Sequence, residues 1–274
     1  MGSIERWLDA KRVEGRSERT LTYYRSTAEE LALYLGRDPM DATAAEIRSY
    51  LAMKGRTCSN VTVNNHRRNL NSYYRFLEDE DEIAKSPMRR IHYVKEERTV
   101  KEPFSDEESE RIRAACGTPR ETAVIAFLAS TGCRVGELVG VLRSDTDIKE
   151  REALVLGKGG KERVVYFDAA CGLALSDYLA GRDDDCPYLF VGRHGRQLTV
   201  GGVERMVREV GRRAGVPNVH PHRFRRTVAT RAIEHGMPIE QVKELLGHSQ
   251  VQTTMIYAKV SRESVKAAHR RYLS

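Results

Sequence analysis

Residues 131–138 read Thr-Gly-Cys-Arg-Val-Gly-Glu-Leu, and this stretch predicts a junction between two helices. The apolar residues before it indicate a helix over about residues 120–130 that ends at Gly132. A second helix is expected to begin near Arg134, with Val135 and Leu138 on one face. A positive charge at a helix start opposes the helix dipole, so Arg134 is expected to have another use, such as binding a phosphate.

The residues around this junction predict a mainly helical domain with a small β-sheet. Ser105, followed three residues later by Glu108, is a capping box that opens a helix. Residues 153–167 hold two apolar strands on either side of a Gly-Lys-Gly-Gly turn, which predicts a β-hairpin. A further helix is expected over about residues 239–246, with Gly247 just beyond its end.

The first part of the chain, about residues 4–92, also has a helical pattern and is expected to form a separate domain. Apolar residues at positions 70, 73, 74 and 77 repeat at helical spacing and predict a helix over residues 61–77. Residues 93–103 are charged and lack an apolar pattern, so we predict an interdomain linker there. The second domain is then expected over residues 104–274.

The composition indicates a folded, soluble protein and excludes a disordered chain. Of 274 residues, 40% are hydrophobic and 31% are charged, which is enough apolar material for a core. Mean hydropathy is −0.54, and the longest apolar runs are too short to cross a bilayer. The five cysteines are widely spaced without a C-x-x-C pair, which favours free thiols in a cytoplasm over disulfides or a zinc site.

The net charge of +7 permits a polyanionic partner, and the distribution of the charge favours one. Residues 54–75 contain five basic residues and no acid, although a solvated helix face would explain that run equally well. Residues 212–231 contain six arginines and no acid. Such a cluster is harder to explain without an anion, because like charges repel unless something neutralises them.

Five short stretches together indicate the chemistry, although each alone is weak. After residues 131–138 come 157–163 (Gly-Lys-Gly-Gly-Lys-Glu-Arg), 222–225 (His-Arg-Phe-Arg), 246–249 (Leu-Gly-His-Ser) and 256–257 (Ile-Tyr). In this order and spacing the chain resembles the tyrosine site-specific recombinase family, the phage integrase and Xer group. The resemblance covers the whole second domain. More loosely, the helical first domain resembles that family's SAM-like core-binding domain.

The resemblance implies a set of catalytic residues, namely Arg134, Lys158, His222, Arg225, His248 and Tyr257. The H-x-x-R box also fits one register earlier, at His220 and Arg223. An apolar residue before the arginine, Phe224, favours the later register. Lys161 remains an alternative to Lys158, and Arg226 stands where many members have histidine.

The resemblance further implies that a DNA phosphodiester is cut and rejoined through a tyrosine. The attack on phosphorus would form a 3′-phosphotyrosine and a free 5′-hydroxyl, which conserves the energy of the bond. A phenol, with a pKa of about 10, needs nearby cations and a base. Two arginines can clamp the non-bridging oxygens, a lysine can protonate the leaving oxygen, and two histidines can assist. We therefore expect no metal and no other cofactor.

By the same resemblance, two domains are expected to close around double-stranded DNA target sites as a C-shaped clamp. The free protein is expected to be a monomer or dimer, and a homo-tetramer on DNA would exchange strands through a Holliday junction. Residues expected to contact DNA are Arg67, Arg68 and Arg75 in the first domain and Arg223 and Arg226 in the second. A basic last helix, about residues 262–272, would dock in a neighbouring protomer, and the setting would be the nucleoid of a cytoplasm.

Two other functions remain open. A type IB topoisomerase is similar in its chemistry, but it relaxes supercoils as a monomer without paired target sites. A non-enzymatic DNA-binding regulator of the same fold should have lost at least one of the six implied catalytic residues, and all six are present.

Overall fold

The computed structural model describes residues 2–96, 102–157, 160–248, 250–255 and 257. The chain divides near residue 100 into two compact units, each with its own apolar core. Lys158 and the predicted last helix over residues 262–272 lie outside the described residues. Within the described ranges, none of the helices combines the length and the apolar character needed to span a bilayer.

The N-terminal unit is helical, as predicted. Its helices are α1 (Ser3–Val13), α2 (Glu18–Leu35), α3 (Ala44–Gly55) and α4 (Asn60–Asp79). The side chains of Ser17, Thr43 and Ser59 cap the starts of α2, α3 and α4. The core is built around Trp7, whose ring stacks on Tyr24 at 4.7 Å and meets the edge of Tyr73 at 5.3 Å.

Both ends of the predicted linker over residues 93–103 form hydrogen bonds with a neighbouring unit of the chain. On one side, the Asn64 side chain of α4 donates to the Val94 carbonyl and accepts from the Val94 N–H, each at 2.9 Å. On the other side, the Pro103 carbonyl accepts from the Arg223 guanidinium at 3.2 Å. The sequence criterion was the absence of an apolar repeat, and that criterion does not detect hydrogen bonds between side chains and backbone.

The C-terminal unit is organised around one apolar helix. Its helices are α5 (Asp106–Ala114), α6 (Pro119–Thr131), α7 (Val135–Gly140), α8 (Ala169–Ala180), α9 (Val200–Arg213), α10 (Pro221–Glu234), α11 (Ile239–Leu246) and α12 (Gln252–Met255). Helix α6 packs against α8, α9 and α10 and buries Val124, Phe127 and Leu128 completely. The predicted Ser105–Glu108 capping box is present at the start of α5, with both hydrogen bonds at 3.1 Å.

The predicted β-hairpin is confirmed, and a short strand extends it into a sheet. Strands β1 (Thr146–Asp147), β2 (Glu152–Leu156) and β3 (Glu162–Tyr166) form an antiparallel sheet in the order β1-β2-β3. The Gly157 N–H donates to the Lys161 carbonyl at 2.7 Å and closes the base of the turn. Strand β1 escaped prediction because two residues are too few to show alternation.

The junction at residues 131–138 has the predicted form. Helix α6 ends at Gly132, which adopts a left-handed φ of 59°, and α7 follows after Arg134. A Cβ on Gly132 would lie 3.1 Å from Val228 Cβ and 3.2 Å from Leu246, so the close packing of α10 and α11 here also requires glycine. The five cysteines all fall within the described ranges and are free thiols, as predicted.

We expect Gly211→Ala to destabilise the C-terminal unit, although alanine normally favours a helix. A Cβ on Gly211 in α9 would lie 2.5 Å from Val219, so the core must shift at a cost of about 1–3 kcal/mol. Gly201→Ala, in the same helix with open space around it, should cost nothing. The unfolding free energies of both variants are measured by urea unfolding followed by circular dichroism. Tryptophan fluorescence is not suitable, because the single tryptophan, Trp7, lies in the N-terminal unit. Equal stability of the two variants would contradict this packing.

Candidate active site

The carboxyl end of α11 is the centre of the candidate site. The last carbonyl groups of a helix have no partner inside it, and those of residues 245–247 are bound instead by arginines. Arg163 donates to Leu245 at 2.6 Å, Arg225 to Leu246 at 2.5 Å and Arg134 to Gly247 at 2.9 Å. These arginines come from β3, α10 and the start of α7, so one helix end brings three separate elements together.

Glu137 is the buried carboxylate of this cluster, with only 3% of its side chain exposed. Its Oε1 accepts from the Arg134 guanidinium at 2.7 Å, and its Oε2 accepts from the Arg134 N–H and from Arg163, both at 2.8 Å. Burial alone would raise the pKa of Glu137, but the Arg134 N–H and the charge of Arg163 outweigh it, so the pKa is lowered. The carboxylate therefore stays charged and neutralises part of the positive charge at the start of α7.

Arg225 is the most deeply buried of the three arginines, with 3% exposure. Its guanidinium donates to the Gly132 carbonyl at 2.8 Å as well as to Leu246. Burial, followed by the nearby charge of Arg134, lowers the pKa of Arg225 to about 10. It therefore remains a cation at neutral pH. His222 lies one turn earlier on the same side of α10 and is exposed.

His248 follows Gly247 directly and is buried beside the arginines, with 8% exposure. Its Nδ1 shares a hydrogen bond with the Thr254 hydroxyl at 2.8 Å. Burial, followed by the charges of Arg225 and Arg134, lowers the pKa of His248 to about 4. His248 is therefore neutral at neutral pH.

Tyr257 is half-buried and lies beside His248, with the two rings stacked at a centroid distance of 6.3 Å. Its N–H donates to the Thr254 carbonyl at 3.0 Å. Thr254 thus holds the histidine through its side chain and the tyrosine through its backbone. The structure brings together Arg134, Arg225, His248 and Tyr257, which the sequence separates by up to 123 positions.

The base of the hairpin turn also reaches the cluster. A Cβ on Gly157 would lie 3.7 Å from Glu137 Oε1, so the turn begins beside this carboxylate. Lys161, at the other side of the turn, is exposed. The choice between Lys158 and Lys161 as the hairpin lysine stays a prediction, because Lys158 lies outside the described residues.

The three arginines expected to contact DNA in the N-terminal unit differ in their surroundings. Arg67 donates to the Ile91 carbonyl at 2.8 Å, and its guanidinium lies 3.9 Å from the centre of the Tyr93 ring. Arg68 donates a long hydrogen bond, 3.4 Å, to the Asn64 carbonyl. The Arg75 side chain is 78% exposed.

Arg223, also expected to contact DNA, packs against other residues of the C-terminal unit. It pairs with Glu108 at 2.7 Å, donates to the carbonyls of Pro217 and Pro103, and covers the Phe104 ring at 4.1 Å. Its side chain is only 13% exposed. The six arginines of residues 212–231 look alike in the sequence, because the carboxylate of Glu108 and the ring of Phe104 lie more than 100 positions before Arg223.

This placement also bears on the register of the H-x-x-R box. Arg223 forms an ion pair with Glu108, whereas Arg225 lies in the arginine cluster. The geometry therefore favours the later register, His222 and Arg225, over the earlier one, His220 and Arg223. Arg226 donates to the Glu102 carbonyl at 3.3 Å, and burial lowers its pKa.

Sequence reasoning missed three members of the cluster, which are Glu137, Arg163 and Thr254. Glu137 could have been found, because an acid three residues after a helix start is the spacing of a capping box. The quoted stretches carried no comparable signal for Arg163 or Thr254. Across the described part of the chain, no three metal-binding side chains form a group that could hold an ion.

Family models and curated relatives both match this chain over most of its length. The phage integrase family model matches residues 90–264, and the phage integrase N-terminal SAM-like domain matches residues 4–83. A tyrosine recombinase XerC of Staphylococcus saprophyticus is 31% identical over 267 residues, covering 92% of this chain and 90% of its own. A XerC of Listeria innocua is 30% identical over 292 residues, covering 99% and 97%.

Solved structures share the fold. XerA recombinase is 27% identical, with a TM-score of 0.57, and the match covers 99% of this chain and 98% of the other. The Tn1549 transposon integrase, solved with transposon right end DNA, is 20% identical with a TM-score of 0.82 over the full length of both chains. The family match over both units and the XerC relatives establish that the chain belongs to the phage integrase family and is a tyrosine site-specific recombinase.

Proposed function

We propose that this recombinase cleaves and rejoins double-stranded DNA through a 3′-phosphotyrosine on Tyr257 and a Holliday junction. The observation that carries the proposal is the convergence of Arg134, Arg225, His248 and Tyr257 at the end of α11. Cations, a neutral histidine and a phenol in one place match the needs of phosphoryl transfer to tyrosine.

The charge balance of the cluster favours an anion. Three guanidinium groups, those of Arg134, Arg163 and Arg225, face one carboxylate, that of Glu137. The lowered pKa of Arg225 reflects the cost of burying a cation beside other cations. A phosphate bound between Arg134 and Arg225 would offset that cost, and it would be bound most strongly as negative charge develops in the transition state.

His248 contributes as a neutral hydrogen-bond donor. When the Thr254 hydroxyl donates to Nδ1, the proton of the ring resides on Nε2, which can donate to a phosphate oxygen. We assign His222 to the proton of the Tyr257 phenol and the hairpin lysine, Lys158 or Lys161, to the proton of the leaving 5′-oxygen.

The assembly on DNA is also part of the proposal. We propose a homo-tetramer on two DNA sites, with a monomer or dimer when free, in the cytoplasm at the nucleoid. A lambda integrase of the same fold was solved as a dimer bound to a core site, with a TM-score of 0.78 at 19% identity. Arg68, Arg75 and Arg226 are proposed phosphate contacts, while Arg67 and Arg223, given their contacts, are proposed to act by positioning neighbouring segments.

Tyr257→Phe should bind DNA but form no covalent adduct, because the attacking oxygen is removed. The test first recovers target DNA covalently trapped on the wild-type protein from genomic fragments, then uses that site with a nick as a suicide substrate. Adducts are read on a denaturing gel.

The matched control is Tyr166→Phe, an exposed tyrosine on β3, which should trap DNA as the wild type does. An adduct in Tyr257→Phe would refute the assignment. Relaxation of plasmids that lack the trapped sequence would favour the topoisomerase alternative, and absence of any adduct from the wild type would favour the regulator.

Acid should destabilise the DNA-free protein through His248. The unfolded side chain takes up a proton near its ordinary pKa of 6.5, whereas the folded one does so only near about 4. The stabilising contribution is fully present above pH 6.5 and is lost as the pH falls towards 4. The difference in unfolding free energy, wild type minus His248→Asn, should therefore shrink by roughly 1–3 kcal/mol between pH 7 and pH 4.

Urea unfolding at a series of pH values measures this difference. His92→Asn, which changes an exposed histidine, should follow the wild type throughout. A pH-independent difference between the wild type and His248→Asn would contradict the assigned environment of His248.

Affinity for DNA should fall steeply with salt, and Arg75→Ala should reduce the slope of log affinity against log salt by about 1. Arg75 is highly exposed, and its ion pair with Asp79 is long, at 3.7 Å. Arg12→Ala is the control, because Arg12 is an exposed arginine of α1 that pairs with Asp9 at 2.6 Å. Fluorescence anisotropy over a salt series gives the slopes, and an unchanged slope for Arg75→Ala would remove it from the proposed contacts.

A further inference from the structure

We propose that Arg163 is a positioning residue that ties the hairpin and Glu137 to the carboxyl end of α11, and so sets the geometry of the phosphate site. This inference rests on the proposed function, since it assigns Arg163 a part in the same reaction. Arg163 lies outside the six residues that the family resemblance implies.

The contacts of Arg163 join three elements through one side chain. From β3, its Nη1 donates to the Leu245 carbonyl of α11 at 2.6 Å, and its Nη2 donates to Glu137 Oε2 of α7 at 2.8 Å. The side chain is 15% exposed, and its Nε is buried without a hydrogen bond among the described residues. One side chain of β3 therefore holds both α7 and α11, which places Arg163 to fix the arrangement of its neighbours.

Arg163 positions Arg134 through the shared carboxylate. The two guanidinium groups bind different oxygens of Glu137, that of Arg134 at 2.7 Å and that of Arg163 at 2.8 Å. The carboxylate is buried, so losing one partner leaves a charge that the interior compensates poorly. Glu137 would then shift, and the guanidinium of Arg134 would shift with it.

Arg163 also positions His248 through the end of α11. A Cβ on Gly247 would lie 2.6 Å from Arg163 Nε and 2.7 Å from its Cδ, so the side chain lies directly against this glycine. His248 is the next residue in the chain. A displacement of Arg163 is therefore transmitted to the backbone that carries His248.

The position of Arg163 in β3 extends this control to the hairpin turn. Arg163 pairs with Val155 across the sheet, next to the turn that carries Lys158 and Lys161. The hydrogen bonds of Arg163 to Leu245 and Glu137 therefore fix the base of the turn relative to α7 and α11. The planar guanidinium binds the Leu245 carbonyl with one Nη and Glu137 with the other. A lysine has a single amino group, so we expect it to be a poor substitute.

The test compares Arg163→Lys with Arg182→Lys. Arg182 is the matched control, because it is also a buried arginine, 3% exposed, that binds a carboxylate and backbone carbonyls. Its partners, Asp184 and the carbonyls of Tyr188 and Leu189, lie outside the site. Both substitutions keep the charge and should lower the thermal midpoint. We expect only Arg163→Lys to slow covalent adduct formation, by at least about tenfold in single turnover on the nicked substrate, with the DNA dissociation constant within about twofold.

Rate and amplitude of the single-turnover reaction separate the two readings of Arg163. A merely structural role would lower the fraction of molecules that react while leaving their rate constant at the wild-type value. That result, or an equal loss of rate in Arg182→Lys, would overturn the inference. Failure of the proposed function is distinct, because it would appear as an adduct in Tyr257→Phe.

A second pair of variants displaces Arg163 without changing it, which keeps the inference testable if Arg163→Lys does not fold. Gly247→Ala places a methyl group against Arg163, whereas Gly236→Ala adds one in open space. Both glycines have positive φ, 63° and 86°, so both variants place alanine in the left-handed region of the backbone. Gly247→Ala should slow adduct formation and Gly236→Ala should not.

The double variant completes the test. Since both changes act through one side chain, adding Gly247→Ala to Arg163→Lys should slow the reaction little further. Fully multiplicative effects, or a wild-type rate in Gly247→Ala, would overturn the assignment of Arg163.

Discussion

The carbonyl groups at the carboxyl end of α11 lack partners inside their helix, and the architecture of the site depends on how they are satisfied. Water or a capping side chain could bind them at a surface, but here three guanidinium groups do so. A helix end carries partial negative charge, so it attracts cations and fixes their orientation. Elements far apart in the chain are thus held at one helix end, with His248 directly after Gly247 and Tyr257 nine residues further along the chain.

Positive charge in a buried place is the second constraint on this protein. One carboxylate cannot neutralise three arginines, and burial together with the neighbouring positive charges lowers the pKa values of Arg225 and His248. This excess of positive charge raises the energy of the DNA-free site, and it also favours binding of a negatively charged phosphate. Local stability is therefore lower than a neutral core would give, as is common where side chains are arranged for chemistry.

Much of the fold could be predicted because its signals are local. The junction at Gly132, the capping box at Ser105 and the hairpin over residues 153–167 depend on neighbours within a few positions, and all three are present. The contacts made by the ends of the linker and by Arg223 depend on partners 30 to 120 residues away. Side-chain contacts over such separations leave no periodic pattern in a single sequence.

The sequence by itself determined the family, through five ordered motifs, and it determined most of the helices, through apolar spacing and caps. Only the tertiary structure decided which arginines meet at the end of α11 and which, like Arg223, are bound elsewhere. It also brought Glu137, Arg163 and Thr254 into the site. The physical reason is that the sequence specifies which residues are charged and how they are spaced. The partners and the solvation of each charge determine what it can do, and these arise only when distant elements pack together.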